Sequence, residues 1–430
     1  MNYIADLHIH SPYSRATSRE STLAGLLGWA RLKGINLVGS GDFTHPAWFA
    51  LLKEELEPAE PGFFRLKREG EVASPLPGAS PGDAPVRFLL SAEVSCIYKR
   101  HGRVRKVHNL LYVPDVASAQ RINKRLGAIG NIVSDGRPIL GLDSRDLLEI
   151  VLEEAPEGFL VPAHIWTPWF SLFGSRSGFD SVEECYGDLS GHIFAMETGL
   201  SSDPAMNRLV SGLDNYAMIS NSDCHSPSRL GREANLLATG FDFYSLRDAF
   251  RENRADTFQG TVEFFPEEGK YHFDGHLDCG VCLDPAETLR LGEACPVCGR
   301  PVTVGVHHRV LALADRTEPV YPDGAPKFFS LIPLTELLGE LLGAGPATAG
   351  VMACYAESLR IFGSELELLL TTPLAEIHRH APLLAEAIGR VREGRVHRQP
   401  GYDGRYGVIR AFAPGELPGG KRKKGDIFPD

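Results

Sequence analysis

The chain opens "MNYIADLHIHSPYS", with Asp6, His8 and His10 each two residues apart. Side chains at i and i+2 of a strand point the same way, so the three share one face near the C-terminal end of a strand. Barrel and open α/β enzymes place their sites at such ends, and neutral imidazole suits zinc, manganese or iron. An H-x-H alone is a common surface pair. Here the same chemistry recurs: "GSGDFTHP" offers Asp42 and His45, "SAEVS" Glu93, "KVHNL" His108, "VPAHIW" His164, "METG" Glu197, and "SNSDCHS" Asp223 and His225. Any one of these has an ordinary explanation, a satisfied core histidine or an aspartate capping a helix. Recurrence at nearly every expected strand end has none, and it predicts a site for two or three divalent metal ions. Zinc leads the choice, with manganese or magnesium as alternatives. Such cations lower the pKa of a bound water and neutralise charge developing on phosphoryl oxygens, which suits phosphoester hydrolysis. The chain has no P-loop and no dinucleotide-binding glycine fingerprint.

A second motif is local. Cys279-x-x-Cys282 and Cys295-x-x-Cys298 have the spacing of a structural zinc ribbon. Four thiolates in a closed tetrahedron leave no open position, so this zinc serves folding; a redox dithiol is the alternative. His307 and His308, in the following "VGVHHRVLALADR", read as ordinary strand residues.

The elements that must position these residues follow from periodicity. Apolar strand patterns alternate with helical ones over residues 1–255, predicting an α/β domain with a largely parallel sheet. "STLAGLLGWARLKG" reads as an amphipathic helix with Ser21 as N-cap and Gly34 past its end. The Pro- and Gly-rich stretch 58–87 reads as a mobile insertion between two strands. Residues 256–320 hold the cysteine motif. Residues 321–430 are mostly helical, as a small DNA-contact module or a cap on the ribbon, and "QPGYDGRYGVIRAF" near the end reads as a hairpin or strand. A net charge of −11 argues weakly against nucleic acid, but local patches do the binding. Two basic runs exist: "KRHGRVRK" from Lys99 to Lys106, near the candidate ligand His108, and "KRKK" from Lys421 to Lys424, a solvated surface run. Eight cysteines are too sparse for a disulfide scaffold, and neither a bilayer-spanning apolar run nor a secretory leader is apparent. These features predict a reducing, cytoplasmic setting without a membrane partner.

The opening D-L-H-x-H-S, the later Glu93, the isolated His108 and His164 and the closing D-x-H resemble the polymerase and histidinol phosphatase (PHP) superfamily. The resemblance implies a distorted (β/α)7 barrel with ligands His8, His10, Asp42 or His45, Glu93, His108, His164, Asp223 and His225. The superfamily commonly has Asp and His adjacent in its second motif. Here Phe43 and Thr44 intervene, leaving open whether Asp42, His45 or both bind. Asp6 and Glu197 become outer partners that orient imidazoles.

A PHP domain followed by a four-Cys ribbon and a helical tail resembles the endonuclease Q family. The supporting motifs are "HIHSPYSRATS", "GDFTHP", "ETGLSSDP", "SNSDCHSP", "EGKYHFDGH" and "GYDGRYG". That resemblance implies a metal-dependent DNA repair endonuclease whose partner is damaged DNA. It cuts 5′ of deaminated bases (uracil, hypoxanthine, xanthine) and abasic sites, with the lesion base turned into a pocket. Asp223, with His225 and His8, would hold the reactive metal. Ser201 and Asn221 are the candidates for reading the base edge; otherwise Ser201 caps a helix and Asn221 forms a turn. Tyr13, Trp166, Trp169 and Phe170 are candidates for stacking or wedging. Arg15, Ser18 and the Lys99–Lys106 run are candidate phosphate contacts. Two rivals remain at this stage: a PHP phosphatase of small monoesters, which needs neither ribbon nor tail, and a non-catalytic DNA-binding accessory protein. A replication or repair partner protein stays open, with no motif pointing to one.

Overall fold

The computed structural model describes residues 1–430 apart from 80, 81, 83, 418–421 and 430. Lys421 of the terminal basic run and part of the 58–87 stretch therefore lie outside the described residues. The fold is mixed α/β. β1 (Asn2–Asp6) pairs in parallel with β2 (Leu37–Gly39), and β2 with β3 (Arg87–Arg100). β3 and β4 (Arg103–Val113) form a long antiparallel hairpin, and β4 pairs antiparallel with β5 (Phe159–Pro162). The Ile165 N–H donates to the Glu197 carbonyl (3.1 Å), linking the end of β5 to β6 (Ala195–Glu197), which runs parallel to β7 (Ala217–Ile219). Beyond β7, Cys224 bridges Ile9 beyond β1, so the strand set curves back on its first member. Ala5, Leu37, Leu89, Leu110, Val161 and Ala195 meet in one buried core inside this curve. A larger core lies between strands and helices. The same core mixes these small and aliphatic side chains with larger rings such as Tyr3, Tyr112 and Phe159, so that facing strands interdigitate.

The sheet is less parallel than the alternating pattern suggests, since β4 runs against both neighbours. The reversal puts Glu93 and His108 inside a hairpin rather than at strand ends. Glu93 lies opposite Leu110, so His108, two residues along, projects from the same face. The helix α1 (Leu23–Lys33) is capped by Thr22, not Ser21: the Thr22 hydroxyl accepts from the Gly25 N–H, and Gly34 closes the helix at φ 83°.

The main sheet also continues past residue 255. β8 (Ala234–Ala238) pairs with β1 and with β9 (Phe258–Glu263), and β9 pairs with β10 (Lys327–Ser330). The cysteine module is thus an excursion between two strands of one sheet. Within the 58–87 stretch, Phe64–Leu66 pairs with Leu56–Pro58 and buries Phe63, Phe64 and Leu66, so its first part is built structure rather than a free loop. His307 and His308 sit in the helix Val306–Leu313, where His308 bonds Asp274 (2.6 Å). The C-terminal helices, from Leu334–Leu342 to Pro382–Arg392, dock on the main domain. Buried Glu365 accepts from the Leu334 N–H (3.0 Å) and the Tyr355 hydroxyl (2.7 Å) and pairs with Lys33 of α1 (2.7 Å). Such a pair fixes the docking geometry, because leaving either charge buried alone is costly. The expected hairpin near the end is present as His397–Gln399 against Val408–Arg410. Among the described residues no helix is long and apolar enough to cross a membrane.

Candidate functional site

Two donor groups meet on Glu93. One comprises His8, His10, Glu93 and Asp223, the other Glu93, His108 and His164; within each, one donor atom per residue lies within 4.8 Å of the rest. The two Glu93 oxygens face different groups. Oε2 lies 3.2 Å from His10 Nε2 and 3.5 Å from His8 Nε2; Oε1 lies 2.5 Å from His108 Nδ1 and 3.2 Å from His164 Nε2. Asp223 Oδ1 closes the first group at 3.0 Å from His10 Nε2 and 3.5 Å from His8 Nε2. His8 Nε2, His10 Nε2 and Asp223 Oδ1 are buried, yet none makes a properly angled hydrogen bond. Buried donors that converge without bonding one another fit a shared cation. The group opens to solvent on one side, where the Asp223 side chain is 27% exposed.

Electrostatics agree with that use. Burial would raise the Glu93 carboxyl, but the Arg137 guanidinium, with His8 and His10, outweighs it and holds it well below the usual range. Burial likewise opposes ionisation of Asp223, and His8 and His10 overcome it. Desolvation, only partly offset by Glu93, pushes His108 down to about 4. Its ring is therefore neutral at pH 7 and has a lone pair to donate.

Outer partners fix the rings. Glu197 accepts from His8 Nδ1 (3.0 Å), the His164 N–H (2.9 Å) and Asn221 Nδ2 (2.9 Å). Asp42 accepts from His10 Nδ1 (3.2 Å), the Ser11 N–H (2.7 Å), the Ser11 hydroxyl (2.6 Å) and the Ser14 hydroxyl (2.9 Å). A carboxylate on Nδ1–H leaves Nε2 free for a cation. Backbone strain gathers here as well: Asp42, His164, Phe170 and Asp223 all have positive φ (47°, 29°, 64° and 46°), a cost that surrounding structure must hold in place. Two glycines permit close packing. A Cβ on Gly199 would meet His164 Cβ at 2.5 Å, and one on Gly136 would meet Asp42 Oδ2 at 2.3 Å.

Several sequence expectations change. Asp42 lies outside both donor groups because its oxygens are taken up by two serines and His10. His45 also lies outside: it caps the helix Pro46–Glu55, accepts from the Trp48 N–H, donates to the Val133 carbonyl (2.9 Å) and stacks on Tyr13. His225 is beside the site, its ring 4.5 Å from His10, but Nδ1 donates to the Asp223 carbonyl and the residue joins neither group. Asp6 orients no imidazole; it straps the Ser222 and Gly231 N–H groups (3.0 and 2.8 Å). Asn221, the candidate for reading a base edge, has its side-chain oxygen and amide engaged within the protein. It is fully buried, its oxygen accepting from the Leu7 N–H (2.8 Å) and Asn235, its amide spent on Glu197. Trp166 is buried against Phe173 and donates to Asn207 (2.7 Å), so it is packing, not a platform. Ser201 is half-buried beside Gly269. Tyr13 is exposed, Arg15 almost wholly so, and the Ser18 N–H donates to the His225 carbonyl (2.8 Å). Trp169 is exposed, and the Phe170 ring lies 4.8 Å from that of His108. In the basic run, Arg100 pairs with Asp143 (2.9 Å) and buried Arg105 donates to the Gly178 carbonyl, so only part of that charge faces outward.

One residue carried no signal in the sequence. Arg137, in the loop "SDGRP", reaches Glu93 Oε2 at 3.0 Å and sets a partly exposed cation at the rim of the donor groups.

The cysteine module also differs from its sequence reading. The convergent set is His276, Cys279, Cys295 and Cys298; Cys282 is exposed and outside it. Cys282 lies in the strand Val281–Leu283, opposite Gly275, and so is carried away from the turn that presents Cys279. A knuckle ends in a left-handed residue just after its second ligand. Gly280 (φ 66°) and Gly299 (φ 73°) take that place after Cys279 and Cys298. "HLDCG" and "CPVCG" are therefore the equivalent turns, and the glycines were the cue in the sequence. Three thiolates and an imidazole fit a divalent zinc-type cation.

A family model described as the MJ0043 C-terminal domain matches residues 333–395. The crystal structure of the lesion-specific endonuclease PfuEndoQ from Pyrococcus furiosus is similar over 95% of both chains, with 33% identity and a TM-score of 0.82. A complex of endonuclease Q with a 27-mer duplex substrate carrying an abasic lesion at the active site is similar over 98% of this chain and 99% of that one, with 32% identity and a TM-score of 0.82. The uncharacterised protein MJ0043 of Methanocaldococcus jannaschii is 32% identical over 258 residues, 58% of this chain. That match spans 31% of the longer relative.

Proposed function

Because the chain belongs to the endonuclease Q family, we propose that it is a metal-dependent DNA repair endonuclease. It hydrolyses the phosphodiester 5′ of deaminated bases (uracil, hypoxanthine, xanthine) and of abasic sites, taking the lesion nucleotide out of the stack. The curved strand set is read as the distorted seven-unit PHP barrel, and the C-terminal segment from about residue 321 as a DNA-contact domain. The observation that carries the reading is the bridging position of Glu93, one oxygen turned to each donor group.

His8, His10, Glu93 and Asp223 would hold one divalent cation and Glu93, His108 and His164 another; cations there would lower the pKa of a water and neutralise charge on the phosphoryl and leaving oxygens. The chain's own residues do the rest. Glu197 and Asp42 hold His8 and His10 in the tautomer that turns Nε2 inward. The strained backbone at His164 and Asp223 aims both side chains at Glu93 and its partners. Asp223, on the open side, stands nearest an incoming phosphate, with His225 beside it. Arg137, one N–H of which donates to Glu93, adds a fixed positive charge at the same rim, where its remaining N–H groups can donate to phosphate oxygens. Ser201, Tyr13, Arg15 and Ser18 are proposed contacts to the strand around the lesion.

End-labelled duplexes identical except for one uracil, one hypoxanthine, one abasic site or no lesion test this reading. The expected result is a single nick 5′ of each lesion in the presence of divalent metal and none in intact DNA. Release of phosphate from a small monoester without any nick would replace the reading with a phosphatase.

A further inference from the structure

We propose that Phe170, Trp169, Tyr271 and Tyr406 form one stacking surface for the nucleobases of a DNA strand running away from the metal groups, with Lys106 and Lys270 beside its phosphates. This rests on the endonuclease reading and extends it to three segments far apart in sequence. The surface begins at the site. The Phe170 carbonyl accepts from the His108 N–H (3.0 Å), and its ring lies 4.8 Å from that of His108. The left-handed φ of Phe170 is unusual for so bulky a residue, and the neighbouring Trp169 faces outward. Trp169 is 40% exposed yet held: Tyr271 meets it edge-on at 5.7 Å, and Thr167 bonds its carbonyl (2.9 Å).

The third segment is pinned beside the second. Gly404 and Gly407 donate to the Lys270 and Glu268 carbonyls (2.9 and 3.0 Å). That places Tyr406, 64% exposed, with the Lys270 ammonium 4.9 Å from its ring centre. Lys106 sits likewise 5.0 Å from the Phe170 ring. Trp169 and Tyr406 are open to water, with Phe170 and Tyr271 half-buried beside them, and ordered rings so exposed are uncommon when nothing covers them. Rings alternating with ammonium groups match the alternating bases and phosphates of a strand, and base stacking on such rings tolerates any sequence.

Tryptophan emission makes a direct test. Trp48 and Trp166 are buried and Trp29 is half-buried, so the part of the acrylamide-quenchable signal that Trp169→Phe removes is the part that reports Trp169. The intact metal-loaded protein is titrated with a labelled abasic duplex whose scissile linkage is a non-hydrolysable phosphonate. Anisotropy measures binding and acrylamide quenching measures access to Trp169. The expected result is binding with loss of most of the quenchable signal, and about tenfold weaker binding for Tyr406→Ala. Binding with Trp169 as accessible as in the free protein, and Tyr406→Ala within twofold, would put the strip off the DNA path and make it a surface for a protein partner; the endonuclease reading would stand. No binding of any duplex would overturn both.

Discussion

The imidazole–carboxylate groups draw their donors from residues 8 to 223, whereas the thiolate set takes all four of its donors from residues 276 to 298. The first exists only when the whole sheet is assembled, because its six donors come from five strands or the segments that follow them, His8 and His10 alone sharing one. The second needs two turns. Behind the first lie two large buried cores; behind the second lie Leu283, Cys295 and Val302 with a few partly buried neighbours. So small a core does not fold unaided, and the cation there takes the place of a core. The difference assigns the roles. One region has a large core behind it and is open on the Asp223 side. The other has almost none, so a cation there would supply its rigidity. Removing metal should cost activity at the first and structure at the second.

The largest expected effect tests the bridge. Glu93→Gln leaves one side-chain oxygen where both groups require one each. Metal analysis of the purified variant should show the equivalents of the imidazole–carboxylate groups lost and the one at the cysteines kept. Cleavage of an abasic duplex should fall about a thousandfold, the size of a lost multi-kilocalorie charge stabilisation. The fold should persist, since Glu93 is held by ligand partners and not by packing. Unchanged metal content in Glu93→Gln would show that the groups do not share the carboxylate.

The next effect contrasts two neighbours in the thiolate region. His276→Ala should lose one metal equivalent and open residues 276–300 to limited proteolysis, leaving the main sheet resistant. Cys282→Ser should keep the metal and the resistance. The opposite outcome would restore the four-thiolate ribbon expected from the paired C-x-x-C spacing. Brief chelation should separate the regions too: nicking stops at once, while protease resistance across 276–300 decays more slowly, because the closed set exposes no open coordination position.

How far these features were legible depends on whether the deciding contact was local. His8, His10, Glu93, His108, His164 and Asp223 stood out because each is an unusual residue in an apolar strand pattern, and together they recur. The sequence put Glu197 among the supports, where it bonds His8, but left Asp42 and His45 among the ligands. Asp42 resembles a ligand until Ser11 and Ser14 are seen to occupy it, and nothing in strand periodicity shows which loop folds over which carboxylate. Arg137 was invisible for the same reason: a loop arginine acquires meaning only when Gly136 lets its loop pack on Asp42. Trp166 and Trp169, three residues apart, read alike; one turned inward onto Phe173 and the other outward. In the cysteine module the spacing rule misled by three residues, and the glycine after each knuckle held the correction.

The smallest effect tests whether Asn221 is a support or a reader. Strand parity puts it two residues before Asp223, and a buried amide there looks suited to a base edge. The structure spends that amide on Glu197, which in turn holds His8. Asn221→Ala should therefore weaken metal retention and lower cleavage about 10- to 100-fold, the usual cost of removing an outer partner. The fall should be equal for uracil, hypoxanthine and abasic duplexes, and excess metal should recover part of it. A residue that read the base would behave differently: abasic DNA, which has no base to read, would be cut as before while the deaminated bases were not. A lesion-dependent loss would thus move Asn221 from the metal support into the pocket. It would also mean that the Leu7 and Asn235 bonds to its oxygen break when DNA binds.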